Sequence, residues 1–178
     1  MIGPDLAITI RPEAPGDAKA IFALIEAAFR ETTHSDGDEP HIVNRLRANG
    51  ELALSLVAED GARIVGHVAF SPVTIKPVAI TDKTSGWFGL GPVSVLPELQ
   101  HRGIGSALIR RGVADLRIAG ARGIVLLGNP DYYSRFGFKL CPGLTYPGAP
   151  PAYFQGLAFE TPMPRGEVRY ASAFATAR

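Results

Sequence analysis

A single cysteine, Cys141, stands among the 178 residues of this chain. One thiol cannot form an internal disulfide, and it leaves no paired-cysteine metal motif. Histidine is almost as scarce: His34, His41, His67 and His101 show none of the close pairing that zinc ligands need, so no metal site is expected. An excess of one charge is missing too. With 18 basic against 17 acidic side chains, the net charge is +1, which is not the basic footprint that nucleic acid or an anionic membrane selects. No apolar run approaches the roughly 18 residues of a membrane span. Met1 to Asp5 lacks the basic-then-apolar order of a secretion signal. These absences point to a soluble cytoplasmic enzyme whose partner is neither nucleic acid nor membrane.

What is present suits one packed domain. Hydrophobic residues make up 46% of the chain, enough for a sizeable core at this length. The expectation is a single domain over 1–178, with its core at about 7–140 and a C-terminal loop and strands over 141–178. Ala7 to Arg11 alternates like a short edge strand, and Pro12 and Pro15 break it. Ile21, Leu24, Ile25 and Ala28 then recur with helical period between Asp17 and Arg30. A second short helix is predicted with Asp38 at its N-cap, Pro40 near its start and Gly50 beyond its end. Leu52 to Glu59 and Arg63 to Ile75 are β-rich runs joined by Asp60-Gly61-Ala62, a hairpin signal. Gly86 to Leu96 reads as a central strand, and Gly103 to Ala119 as the clearest helix. Gly112 in mid-helix costs about 1 kcal/mol of propensity, which points to close packing on a sheet. Ile124 to Leu127 reads as a buried strand, Asp131 to Arg135 as a short helical segment, and Tyr153 to Glu160 with Glu167 to Ala171 as a closing pair of strands. The order implies a mixed α/β domain with three consecutive antiparallel strands and a right-handed parallel strand–helix–strand unit over Gly86 to Leu127.

One segment carries chemistry: Val93-Ser94-Val95-Leu96-Pro97-Glu98-Leu99-Gln100-His101-Arg102-Gly103-Ile104-Gly105-Ser106. An apolar strand ends at proline, a polar loop follows, and glycines open a long helix. Unpaired N–H groups at a helix start lie at the positive end of its dipole, and glycine lets a phosphate approach them. The local physics thus predicts a phosphate or diphosphate cradle. A P-loop is excluded because Ser106-Ala107 follows the second glycine where Lys-Ser/Thr would stand. A dinucleotide fingerprint is excluded because Leu108 occupies the place of its third glycine.

Gln100-x-x-Gly103-x-Gly105, preceded by Val93-x-Val95-x-Pro97, resembles the acyl-CoA signature of the GNAT N-acetyltransferase superfamily. Downstream, Tyr133-Ser-Arg-Phe-Gly137-Phe138 is similar to the Tyr-x-x-x-Gly-Phe segment of the same family. The resemblance covers about residues 7 to 140 and implies a GNAT-like fold: a central mixed, mostly antiparallel sheet flanked by helices. It implies acetyl-CoA as co-substrate and direct transfer to a primary amine of a small molecule or peptide, with no metal. Backbone amides from Gln100 through His101, Arg102, Gly103, Ile104 and Gly105 to Ser106 would hold the pyrophosphate. The strand at Val93, Ser94 and Val95 would pair with the pantetheine arm, the Val93 N–H would meet the thioester oxygen, and Tyr133 would protonate the leaving thiolate. Taken alone, Arg102 is as well explained as a solvated loop residue, and Tyr133, like its neighbour Tyr132, as packing.

The chain departs from the family pattern in two places. Asn129 stands four residues before Tyr133 rather than about seven. Gly89 occupies the strand position where some members carry a glutamate base. Glu31, His34, Glu39 and His67 are the remaining candidates for a base, each with an ordinary structural explanation. Phe29, Glu31, His34, Tyr146, Tyr153 and Phe154 fall in the regions that frame the acceptor in this family. The missing glutamate keeps open a non-catalytic acyl-CoA-binding or sensing module, and a phosphate scaffold unrelated to coenzyme A would explain only the glycines. A homodimer accords with the family, though no residue argues for it.

Overall fold

The computed structural model describes residues 7–33 and 35–175. Strand β1 (Ile8–Pro12) ends at the expected prolines and leads into α1 (Ala18–Phe29), where Ile21, Leu24 and Ile25 form the buried stripe. Helix α2 (Glu39–Ala48) buries Pro40, Val43 and Leu46. Asp38 occupies its N-cap position, but the carboxylate does not cap the backbone; it holds Arg45 at 3.0 and 2.5 Å, because an ion pair is available two turns along the helix. Strands β2 (Leu54–Asp60) and β3 (Arg63–Pro72) make the expected hairpin. The run predicted to extend to Ile75 instead divides after Pro72: Val73 N still donates to Trp87 O at 3.1 Å, and β4 (Thr74–Pro77) then enters another sheet.

Strand β5 (Trp87–Val95), helix α3 (Ile104–Ile118) and strand β6 (Gly123–Leu127) form the predicted parallel crossover. Helix α4 (Pro130–Tyr133), β7 (Lys139–Leu140), β8 (Leu144–Thr145), β9 (Phe154–Ala158) and β10 (Gly166–Arg169) complete the order. A seven-stranded sheet runs β1-β2-β3-β5-β6-β9-β7, and a three-stranded sheet runs β4-β10-β8. Every neighbour in the larger sheet is antiparallel except β5 and β6, which matches the expected mixed, mostly antiparallel α/β architecture. The predicted closing pair does not form. β9 inserts between β6 and β7, whereas β10 pairs with β4 and β8, because each strand finds a longer ladder elsewhere. No helix among the described residues is long and apolar enough to cross a membrane.

Alternating side chains split the core into two layers. Val57 and Ala69 meet Ile21, Ile25 and Val43 beneath α1 and α2. On the opposite face, Val68 and Phe70 pack with Ile104, Leu108 and Ile109 of α3. Close approach sets the α3 contact: a Cβ on Gly66 would stand 2.9 Å from Ile104, and one on Gly112 would overlap the Phe70 ring. That overlap is the physical reason for the mid-helix glycine. Ile104 joins the buried face at the first turn, whereas Ala119, the last residue of the predicted helix, is exposed at its C-cap.

Gly112→Ala gains about 1 kcal/mol of helix propensity but forces a methyl into the fully buried Phe70 ring, an overpacking cost of about 1–3 kcal/mol. The variant should unfold at lower urea than wild type; an increase in stability would contradict the packing argument. His67 generates a second expectation. Burial lowers its imidazole from 6.5 to about 4, so the native state holds it neutral while the unfolded chain takes up a proton. Its contribution is complete above about pH 6.5 and is lost as pH falls towards 4, a change of about 3 kcal/mol. Melts between pH 7 and 4.5 should show this loss, and His67→Leu should flatten it; equal slopes in both proteins would contradict it.

Candidate active site

The site begins with an interruption of β5. Val68 stands opposite Val93 and Phe70 opposite Leu90, so Gly91 and Pro92 together face the single residue Ala69. This is a β-bulge, made by a glycine at φ +141 and a proline without N–H. Pairing of β5 with β6 covers only Trp87–Gly89 against Gly123–Val125, after which the two strands part. The antiparallel ladder decides what the exposed edge offers. Leu96 N donates to Val65 O at 3.0 Å, so the alternation turns Ser94's backbone groups towards His67 of β3. Val93 and Val95 therefore turn theirs towards the gap. Gln100 Nε2 already uses the Val95 carbonyl at 3.2 Å.

Helix α3 opens beside this edge. Gly103 sits in the left-handed region at φ 86, and no side chain caps the helix. His101, at φ 61, is the one non-glycine residue with positive φ among those described, a conformation that costs about 1–2 kcal/mol. The first-turn N–H groups of Ile104, Gly105 and Ser106 have no intrahelical acceptor and lie at the positive dipole end. A Cβ on Gly105 would stand 3.5 Å from the Tyr132 hydroxyl and 3.7 Å from Val95, so this glycine forms a floor rather than a tight contact.

The edge and the helix start bound a cleft of about 830 Å³. Of the predicted site residues, Val93, Val95, Gln100, His101 and Gly103 line it, as do Ile104, Gly105, Ser106 and Tyr133. Two do not. Ser94 alternates to the opposite face, where it is 2% exposed, and the Arg102 side chain is exposed outside the cleft. The lining also includes Leu99, Ala107, Arg110, Tyr132 and Arg135, which the sequence reading did not place there. For Arg110 the helical period was an available signal, because it lies one turn beyond Ser106. Arg135 stacks 4.6 Å over Tyr132, and Arg110 lies 5.0 Å from the Phe136 ring centre. No acidic side chain lines the cleft, so its field favours an anion.

Tyr133 is set by its neighbours. A Cβ on Gly128 would overlap its ring, and the ring meets Phe138 edge-on at 6.1 Å between centroids. Burial, with Tyr132 nearby, pushes its phenol up to about 12, so it presents an O–H donor across the working pH range. The Tyr132 hydroxyl lies 3.3 Å from Ser106 Oγ, which brings both tyrosines into the site. Asn129 caps α4, its side chain accepting from Asp131 N at 3.0 Å.

The candidate bases are scattered. Glu31 is exposed, Glu39 accepts from Ser35 Oγ at 2.6 Å, and His67 is buried on the far face of the sheet. His34 lies outside the described residues. At Gly89 the ring of Tyr170 occupies the space a side chain would need. Cys141 is buried, and burial pushes its thiol up to about 11, as suits a packing residue.

Comparison with known proteins agrees with this geometry. A family model described as an acetyltransferase (GNAT) domain matches residues 9–141. The uncharacterized N-acetyltransferase YhbS of Escherichia coli K12 is 38% identical over 132 residues, which are 74% of this chain and 73% of that protein. A GNAT family acetyltransferase from Brucella melitensis, solved in complex with acetyl-CoA, is 52% identical with a TM-score of 0.82, over 94% of this chain and 98% of that one. The E. coli YhbS structure, in complex with CoA, is 32% identical with a TM-score of 0.81, over 98% and 95% of the two chains.

Proposed function

The chain belongs to the GNAT acetyltransferase family, and we propose that it moves the acetyl group of acetyl-CoA directly to a primary amine within a ternary complex. The observation that carries this reading is the meeting, in one cleft, of an unpaired strand edge, an uncapped helix start and Tyr133. Each matches a different part of the co-substrate. The amides from Gln100 to Ser106 suit a diphosphate, and the two Arg side chains add positive charge around it. The Val93 and Val95 edge suits the two amides of a pantetheine arm, which would extend the sheet across the gap.

In this reading the Val93 N–H donates to the thioester oxygen as negative charge develops there. The amine nitrogen attacks the carbonyl carbon, the carbon–sulfur bond breaks, and the thiolate takes a hydrogen bond and then a proton from Tyr133. The proton lost by the amine returns through solvent to the phenolate. Among the described residues no carboxylate lines the cleft, so an ammonium acceptor has to give its extra proton to water before its nitrogen can attack. The segment beyond Leu140 is read as part of the same domain, since β9 lies between β6 and β7 and β10 pairs with β4. The acceptor is read as a small molecule or peptide.

Gly105→Leu places a side chain into the cleft floor without backbone strain, so it should weaken acetyl-CoA binding by at least about tenfold in calorimetry, or 1.4 kcal/mol, at unchanged melting temperature. Equal affinity would remove the cradle. Tyr133→Phe should lower kcat for thiol release by about 10²-fold while acetyl-CoA affinity stays within about twofold. A screen of amines, amino acids, aminoglycosides and peptides that reads free thiol supplies the acceptor for that measurement. Firm acetyl-CoA binding without turnover across the whole screen would favour a sensing module.

A further inference from the structure

Behind the cleft, on the opposite face of the sheet, runs a polar chain, part-buried at one end and buried at the other, that the proposed chemistry does not use. Arg47 Nε on α2 donates to one oxygen of Glu13 at 2.6 Å, and the other oxygen accepts the Ser55 hydroxyl. Ser55 Oγ lies 2.8 Å from Nε2 of His67, whose side chain is fully buried. Counting donors fixes the tautomer. Burial pushes the Glu13 carboxyl upwards, but the hydrogen bonds from Arg47 and Ser55 more than offset this and hold it below its usual range. An ionised carboxylate only accepts, so Ser55 gives its single proton to Glu13 and must accept from His67. Nε2 therefore carries the ring hydrogen, and Nδ1 is a bare acceptor.

Among the described residues no group reaches that Nδ1, and none reaches Ser94 Oγ, which is 2% exposed. The two residues stand directly opposite one another in the β3–β5 register, where such a pair has its Cα atoms about 5.5 Å apart. Both side chains point to the same face. Two unmet polar groups across that span fit one bridging water, which would donate to Nδ1 and accept from Ser94. An apolar pair would fill the same place without leaving polar atoms unpaired. Ser94 lies between Val93 and Val95, whose main-chain groups turn to the cleft. The chain of contacts thus ties this stretch of β5, through β3, β2 and the loop before α1, to α2.

We propose that His67 is a positioning residue for the Val93 N–H, acting through a buried water shared between its Nδ1 and Ser94 Oγ. The claim rests on the acyl-transfer reading for its consequence but not for its geometry. A water held at Ser94 stiffens β5 immediately beyond the bulge, where the ladder with β6 no longer does so. The Val93 N–H then meets a developing oxyanion without having to reorient.

Nitrogen-15 NMR of histidine-labelled protein between pH 5 and 8 should show His67 protonated on Nε2 alone. The Val93 amide resonance in the acetyl-CoA complex should shift in Ser55→Ala and in Ser94→Ala, and return in Ser55→Thr, which keeps the hydroxyl. With an amine acceptor, Ser55→Ala should lower kcat by about tenfold while acetyl-CoA affinity stays within about twofold, the pattern of an interaction made in the transition state. A proton on Nδ1 in wild type would overturn the proposal. So would a Val93 resonance indifferent to Ser55→Ala, or a loss of affinity equal to the loss of rate. If wild-type protein binds acetyl-CoA but transfers to nothing, the acyl-transfer reading fails, and the two NMR measurements still decide the positioning claim.

Discussion

The separation of β5 from β6 is the constraint on which the site depends. Two parallel strands hydrogen-bonded along their full length would satisfy each other's backbone and leave nothing for a ligand. Here the ladder ends at Gly89 and Val125, and the bulge at Gly91 and Pro92 turns the continuation of β5 away. The freed edge is not an orphan in the energetic sense, because it faces an open cleft and water. It is a strip of unpaired polar groups held at fixed spacing by the β3 ladder on its other side. Everything else in the site is arranged around that strip: α3 begins at its end, and α4 brings Tyr133 against it.

The two faces of β5 divide the labour. On the α3 side, Val93 and Val95 present apolar walls, and the unpaired backbone lies between them and Tyr133. Arg110 and Arg135 are held by aromatic rings rather than by carboxylates, which leaves their N–H groups available to an anion. On the other side, Ser94 and His67 are buried beneath α1 and α2, and Tyr170 covers Gly89. Burial, with Tyr146, Cys141 and Tyr133 nearby, keeps the Tyr170 phenol protonated, so it is a wall and a hydrogen-bond donor rather than a base. Family membership and the cleft therefore describe the acyl-donor half of the reaction much more fully than the acceptor half.

Much of this was legible in the chain because it is local. The α3 periodicity, the Asp-Gly hairpin and the glycines at 103 and 105 depend on residues within one or two turns of each other, and the folded chain keeps all three. The close packing implied by Gly112 was legible too, although not its partner, Phe70. Errors fell where strands chose neighbours. Nothing near β9 or β10 in sequence says that they join different sheets, since pairing is decided by competition among all available edges. The Gly91-Pro92 bulge was present in the sequence as a glycine and a proline inside an apolar run, a known sign of an interrupted strand. Its consequence for β6 was not.

The sequence by itself thus determined the glycine-opened helix start, the strand that precedes it and the tyrosine that follows, through local backbone preference and a recurrent motif. Tertiary structure alone decided that Val93 and Val95, and not Ser94, expose their backbone, and that Arg110 and Arg135 join the cleft. It also decided that Arg47, Glu13, Ser55 and His67 form one chain of contacts. The reason is that local preference acts through the few dihedrals of neighbouring residues. Register, face and burial are set only when segments distant in sequence are packed against each other and each polar group must find its partner.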